Sequence, residues 1–132
     1  MFYNPINIIT FTSGDARSLA LSEISSENFS PEEFIIQYDK GHGLPNIVDT
    51  KANVPESYPL TIKGLKNDIP VAIHVYCVTA GYAGTGPHDM LDIVRATGFP
   101  IDPDAILTDK WGHNEKFLIQ GTKSGMKDLL KS

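Results

Sequence analysis

The sequence predicts an α+β fold, in one small domain (residues 1–132) with a mainly antiparallel sheet and two to four short helices packed on it. Apolar, β-branched runs alternate with helix signals along the 132 residues, without internal repeats. The helical segments are too few and too irregularly spaced for a doubly wound parallel sheet. Hydrophobic residues at 41% and charged residues at 20% are ordinary for a globular protein and argue against global disorder.

The first two segments are both predicted as strands. Residues 6–12 are rich in β-branched and aromatic side chains and are followed by the turn sequence Ser13-Gly14-Asp15. Residues 16–24 are ambiguous, because Leu19 and Leu21 fit a period of two while a helical stripe fits the segment equally well. We favour a strand there.

A helix is predicted next, with a long connection after it. Ser30-Pro31-Glu32-Glu33 combines a capping serine, a proline at the first helical position and a glutamate three residues after the cap. This pattern predicts a helix through about Tyr38, with Phe34 and Ile35 in its buried stripe. Residues 40–59 hold three prolines among polar residues, so we interpret them as a long irregular connection that forms a lid or an interface loop.

The central part of the chain predicts a hairpin and a helix. Residues 60–65 and 71–78 are strand-like and flank the turn Lys66-Asn67-Asp68, which predicts an antiparallel hairpin. The second strand is apolar on both faces, so we expect it in the centre of the sheet. Residues 87–97 show the apolar spacing of a helix, and Gly98 is suited to end it.

Three shorter elements are predicted in the last third of the chain. Asp102-Pro103-Asp104 has the residue types that start a helix, which would include residues 105–107. Residues 116–120 have the composition of a strand. Residues 123–131 fit a short amphipathic helix with Met126 in its apolar stripe.

Charge, cysteine content and hydropathy narrow the function classes. The formal net charge of −5 argues against a duplex nucleic acid partner, whose phosphates require a basic face. Cys77 is the single cysteine, so no intramolecular disulfide forms and a reducing compartment is expected. The sequence opens without the basic region of a signal peptide, and its longest apolar stretch, residues 69–83, is too short to span a bilayer. We therefore expect a cytoplasmic protein that has no membrane partner.

The most informative segment is residues 71–95, where an apolar strand-like run leads through a glycine-rich loop into a helical pattern. In this arrangement, the backbone N–H groups of the first helical turn have no partner within the helix, so they are suited to bind an anion. Three glycines stand within residues 81–86, Thr85 adds a hydroxyl group, and His88 lies in the first helical turn. The segment predicts a site for a phosphate-bearing ligand.

Residues 10–17, after the first strand, contribute to the same predicted site if that strand lies beside the one beginning at Val71. Arg17 and Arg95 are the only arginines in the sequence, and arginine suits bidentate phosphate recognition. Tyr82 in the glycine-rich loop is suited to stack on a base. The candidate ligand-binding residues are Ser13, Asp15, Arg17, Thr79, Gly81, Tyr82, Gly84, Thr85, Gly86, His88 and Arg95.

Each of these features also has a purely structural interpretation. The glycines fit a turn that needs positive φ, Tyr82 fits a residue packed on the core, and Arg17 fits a solvated side chain after a turn. The loop lacks the lysine of a P-loop and the glycine spacing of the dinucleotide fingerprint.

The sequence gives little indication of a metal site or of a nucleophilic catalytic residue. The four histidines lack a two-histidine helical spacing and Cys77 has no cysteine partner, so we expect no metal and no cofactor. A cluster formed only on folding, from Asp39, His42, Asp109 and His113, is the alternative. Cys77 lies in an apolar strand, where a thiol is inert, and no nucleophile elbow is present.

These observations favour a non-catalytic binder over an enzyme, because the sequence indicates hydrogen-bond donors for an anion but no acid–base pair. The predicted function is binding, and sequestration, of a phosphate-bearing small molecule such as a nucleotide or signalling nucleotide, through the 81–88 loop. One alternative is a small hydrolase or transferase acting on a phosphate ester, with His88 as acid or base. Another is an acidic protein-interaction or inhibitor module. We also expect a homo-oligomer, whose subunits could complete the pocket.

Overall fold

The computed structural model describes residues 7–11, 15–39, 59–76, 78, 80, 84–108 and 116–129. Six strands form one sheet in the order β1-β4-β3-β2-β5-β6, in which β1 is parallel to β4 and all other neighbours are antiparallel. With three short helices, this confirms the predicted α+β class and the mainly antiparallel sheet. The elements are β1 (Asn7–Phe11), α1 (Ala16–Ile24), β2 (Phe29–Asp39), β3 (Leu60–Lys66), β4 (Ile69–Val75), α2 (Thr85–Arg95), α3 (Pro103–Leu107), β5 (Lys116–Thr122) and β6 (Gly125–Asp128).

β1 and β4 are the one parallel pair among the described strands, and a helix follows each of them along the chain. Asn7 lies opposite Val71 and Phe11 opposite Val75, so both strands end at the same edge of the sheet. After β1 the chain enters α1, and after β4 it enters α2. The N-termini of these two helices therefore follow neighbouring strands, and the helices contact each other.

The main core lies between the helices and one face of the sheet, which we call the helical face. Strand side chains alternate between faces, and most of the apolar ones on the helical face are buried. Full burial of each large aliphatic side chain stabilises the fold by about 1.5–3 kcal/mol relative to leaving it exposed. The buried side chains on this face of the sheet include Phe34, Ile36, Leu60, Ile62, Val71, Ile73, Val75 and Ile119.

The strand predicted over residues 16–24 is wrong, because this segment is helix α1. Its buried residues are Ala16, Ala20 and Ile24, which recur every four residues and form one helical stripe. Leu19, which the period-two interpretation would have buried, is 45% exposed. The small alanine side chains let α1 lie close to the sheet. In the sequence, the larger Leu19 and Leu21 dominate the apolar pattern and favour a period of two.

The helix predicted from Pro31 to Tyr38 is also wrong, because the segment belongs to strand β2. β2 lies between β3 and β5, and the four consecutive residues 34–37 are buried on its two faces. A helix of this length would bury one stripe, so tertiary pairing overrides the local capping pattern. The register shifts between Pro31 and Glu33, a β-bulge that accommodates a residue without an N–H group.

The third error is the terminal helix, which is replaced by a hairpin of β5 and β6. Lys123 and Ser124 form the turn, and Gly125 has a φ of +117°, which L side chains rarely adopt. Met126 packs against the helical core while Leu129 packs with Ile35 and Leu118 on the opposite face. The two residues thus alternate as in a strand and do not form one stripe.

The remaining predicted elements are confirmed. β3 and β4 form the hairpin, with Asn67 and Asp68 at φ values of +53° and +66° in its two-residue turn. β4 lies between β1 and β3, inside the sheet. Helix α2 is followed by Gly98 at a φ of +79°, and the Asp102 side chain accepts the Asp104 N–H at the start of α3. Among the helices that the structure describes, none is a candidate to cross a membrane.

The opposite face of the sheet, which we call the polar face, carries buried polar side chains. Glu33 contacts Lys63 Nζ at 2.6 Å and accepts a hydrogen bond from Gln120 Nε2 at 2.7 Å. Next to this group, Thr61 Oγ1 lies 3.1 Å from Nδ1 of His74, and both residues are almost completely buried. Burial lowers the pKa of His74 from 6.5 to about 4, because charging the imidazole would cost desolvation free energy.

Candidate functional site

The candidate site consists of the first turns of α1 and α2, the helices that follow β1 and β4 along the chain. The intrahelical bonds start with Leu19 N–H to Asp15 O and His88 N–H to Gly84 O, both at 3.0 Å. The N–H groups of residues 16–18 and 85–86 precede these bonds and are not used within the helices. Neither N-cap residue, Asp15 or Gly84, caps its helix with a side-chain hydrogen bond.

The His88 ring is held at the start of α2. Its Nδ1 lies 2.7 Å from the Gly84 carbonyl oxygen. Because a carbonyl oxygen only accepts, Nδ1 is the protonated nitrogen and donates this bond. In the neutral ring, Nε2 therefore carries the lone pair and acts as an acceptor.

Arg17 is engaged by two carboxylates of α2. Its Nε and Nη2 donate to Oδ2 of Asp92 at 3.1 Å and 2.9 Å, and Nε lies 3.6 Å from Oδ1 of Asp89. These contacts join the first turn of α1 to the middle of α2. The Arg17 and Asp92 side chains are 43% and 40% exposed, so the ion pair is solvated and contributes little stability.

Arg95 is not brought to this site. It lies in the last turn of α2, ten residues after Thr85. At 1.5 Å per residue, this is about 15 Å along the helix axis from the helix N-terminus. At this end of the helix a cation interacts favourably with the macrodipole, which is a structural role.

Apart from Arg95, the described candidate residues fall in the first turns of two different helices. Asp15 and Arg17 begin α1, and Gly84, Thr85, Gly86 and His88 begin α2. Asp92 was missed by the sequence reasoning, although its spacing of three residues from Asp89 indicates one helix face. The candidates Ser13, Thr79, Gly81 and Tyr82 lie outside the described residues.

The metal prediction is tested only in part. Within the ranges that the structure describes, no group of three histidine, cysteine or carboxylate side chains could hold a metal ion. Of the alternative cluster, His42, Asp109 and His113 lie outside those ranges, as does the side chain of Asp39. The 40–58 part of the predicted connection and Cys77 lie outside them as well.

The helical layer, residues 15–28 and 84–108, carries an excess of acidic side chains. It contains seven carboxylates and two arginines, a formal charge of −5. Asp15, Asp89 and Asp92 are the carboxylates nearest in sequence to the two helix N-termini. An anion bound there would depend on backbone N–H groups and on Arg17, because the surrounding charge repels it.

Comparison with known proteins adds no assignment. No protein-family model matches the chain, and no curated protein or solved structure is significantly similar to it. The chemistry of the two helix N-termini is therefore the basis for a functional assignment.

Proposed function

We propose that this chain binds a phosphate-bearing small molecule, such as a nucleotide or signalling nucleotide, and sequesters it without turnover. The observation that carries the proposal is the parallel β1–β4 pair, whose strands are followed along the chain by two helices that contact each other. In open parallel α/β sheets, ligands bind beyond the carboxyl ends of the strands, and we extend this rule to the single parallel pair of this sheet. Helix N-termini at such an edge attract anions through their N–H groups and dipoles.

The available donors suit a phosphate group. The N–H groups of residues 16–18 and 85–86 offer up to five donors ahead of the first intrahelical bonds. Pro87 has no N–H group and fits the third position of α2, where an unused donor would otherwise remain. Thr85 is exposed and adds a hydroxyl group at the first helical position.

Binding without turnover is favoured by the surroundings of His88. In the described part of the chain, no carboxylate is hydrogen-bonded to its ring, whose Nδ1 is taken by the Gly84 carbonyl oxygen. A phosphate-ester hydrolase or transferase is the second candidate, because the same bond leaves Nε2 as the basic nitrogen. The two candidates differ in whether the ligand is recovered unchanged, and in whether His88→Ala abolishes any turnover.

A third candidate, a module that docks on a basic protein, is favoured by the charge of the helical layer. Seven carboxylates against two arginines give this side of the molecule a negative potential that steers basic partners. This candidate expects association that weakens as salt is added, with no small-molecule ligand. The proposed homo-oligomer and cytoplasmic location are independent of the choice between the three candidates.

The first experiment is mass spectrometry of freshly purified protein under native and then denaturing conditions. It reports co-purified phosphate compounds and the oligomer mass together. A thermal-shift panel of nucleotides follows, because a ligand that binds only the folded state raises the melting temperature. Product analysis by chromatography separates binding from turnover.

Thr85→Asp is the decisive variant. An aspartate at the first position stabilises a helix by about 0.3–1 kcal/mol, so a loss of binding would not result from unfolding of α2. Its carboxylate would occupy the N–H groups and repel phosphate. Ser124→Asp is the matched control, with the same charge change in the exposed β5–β6 turn at the far side of the sheet.

We expect the wild type and Ser124→Asp to bind equally, and Thr85→Asp to lose binding. Equal binding by Thr85→Asp would exclude the α2 N-terminus as the site. An empty protein that gains no thermal stability from any nucleotide would contradict the proposal and favour the acidic docking module.

A further inference from the structure

We draw no further inference here: the strongest candidate, the largely buried side-chain cluster of Glu33, Lys63 and His74 on the polar face of the sheet, carries none, because nothing in the residues that the structure describes shows what covers that face.

Discussion

His74 should make the fold acid-labile in a defined pH range. The residue is 2% exposed on the polar face and its pKa is lowered to about 4, whereas the unfolded chain has the ordinary value of 6.5. Above pH 6.5 the imidazole is neutral in both states, so it adds no pH dependence. As the pH falls from 6.5 toward 4, the unfolded state takes up a proton that the folded state does not.

The size of the effect follows from these two values. A tenfold difference in proton affinity corresponds to about 1.4 kcal/mol, so the full loss on going below pH 4 is about 3 kcal/mol. Between pH 7 and pH 5 the free energy of unfolding should fall by about 2 kcal/mol from this residue alone. This is a large fraction of the about 5–15 kcal/mol by which domains are stable.

Urea denaturation at pH 7, 6, 5 and 4.5 measures this loss, with His74→Asn as the comparison. The asparagine amide group can keep the contact with Thr61, which lies 3.1 Å from Nδ1, but it does not titrate. The variant will be less stable at pH 7, because a smaller side chain leaves a cavity. Its stability should nevertheless change less with pH than that of the wild type.

Taking the difference between wild type and variant removes the contribution of carboxylates, which begin to titrate near pH 5. If wild type and His74→Asn lose stability in parallel between pH 7 and pH 5, burial of a neutral His74 is refuted.

Two further predictions concern packing and the hairpin turn. A Cβ atom at Gly121 would overlap the ring of Phe34. That ring is fully buried and stacks on Phe99, with ring centroids 6.3 Å apart. Gly121→Ala should therefore lower the free energy of unfolding, measured by urea titration, by about 1–3 kcal/mol. Phe34→Leu should make the same substitution less costly, and an undiminished penalty would show that the ring is not the obstacle. Asp68→Gly should raise the free energy of unfolding by up to about 1 kcal/mol, and with it the melting temperature, because glycine adopts the positive φ of +66° without strain. A lower melting temperature would mean that the Asp68 side chain stabilises the turn.

The fold was predictable where local and tertiary preferences agree. The β3–β4 hairpin, α2 and α3 each have turn or capping residues that match their place in the sheet. Residues 31–38 show the opposite case. A strong helix-capping pattern precedes them, but the segment forms a strand that pairs with β3 on one side and with β5 on the other. The secondary structure of such a segment depends on pairing with strands far along the chain, and a local sequence pattern carries no information about those strands.

The pairing of two segments of the candidate site was predictable, whereas the side-chain contacts around them were not. The expectation that residues 10–17 lie beside the loop after β4 depended on the pairing of β1 with β4, which the structure confirms. The contact of Arg17 with Asp92 does not follow from the sequence pattern, because that pattern favours a strand over residues 16–24, whereas the contact joins two helices.

The β1–β4 pair also has a consequence for the order of folding. Asn7 and its partner Val71 are 64 residues apart, whereas the β3–β4 and β5–β6 hairpins close over a few residues. Closing so long a loop costs entropy before any contact compensates for it, so pairings of high contact order tend to form late. Helices α1 and α2, which follow β1 and β4 along the chain, are brought together by that closure. A ligand that spans them would thus bind the completed fold alone, and it would slow the opening of the first strand.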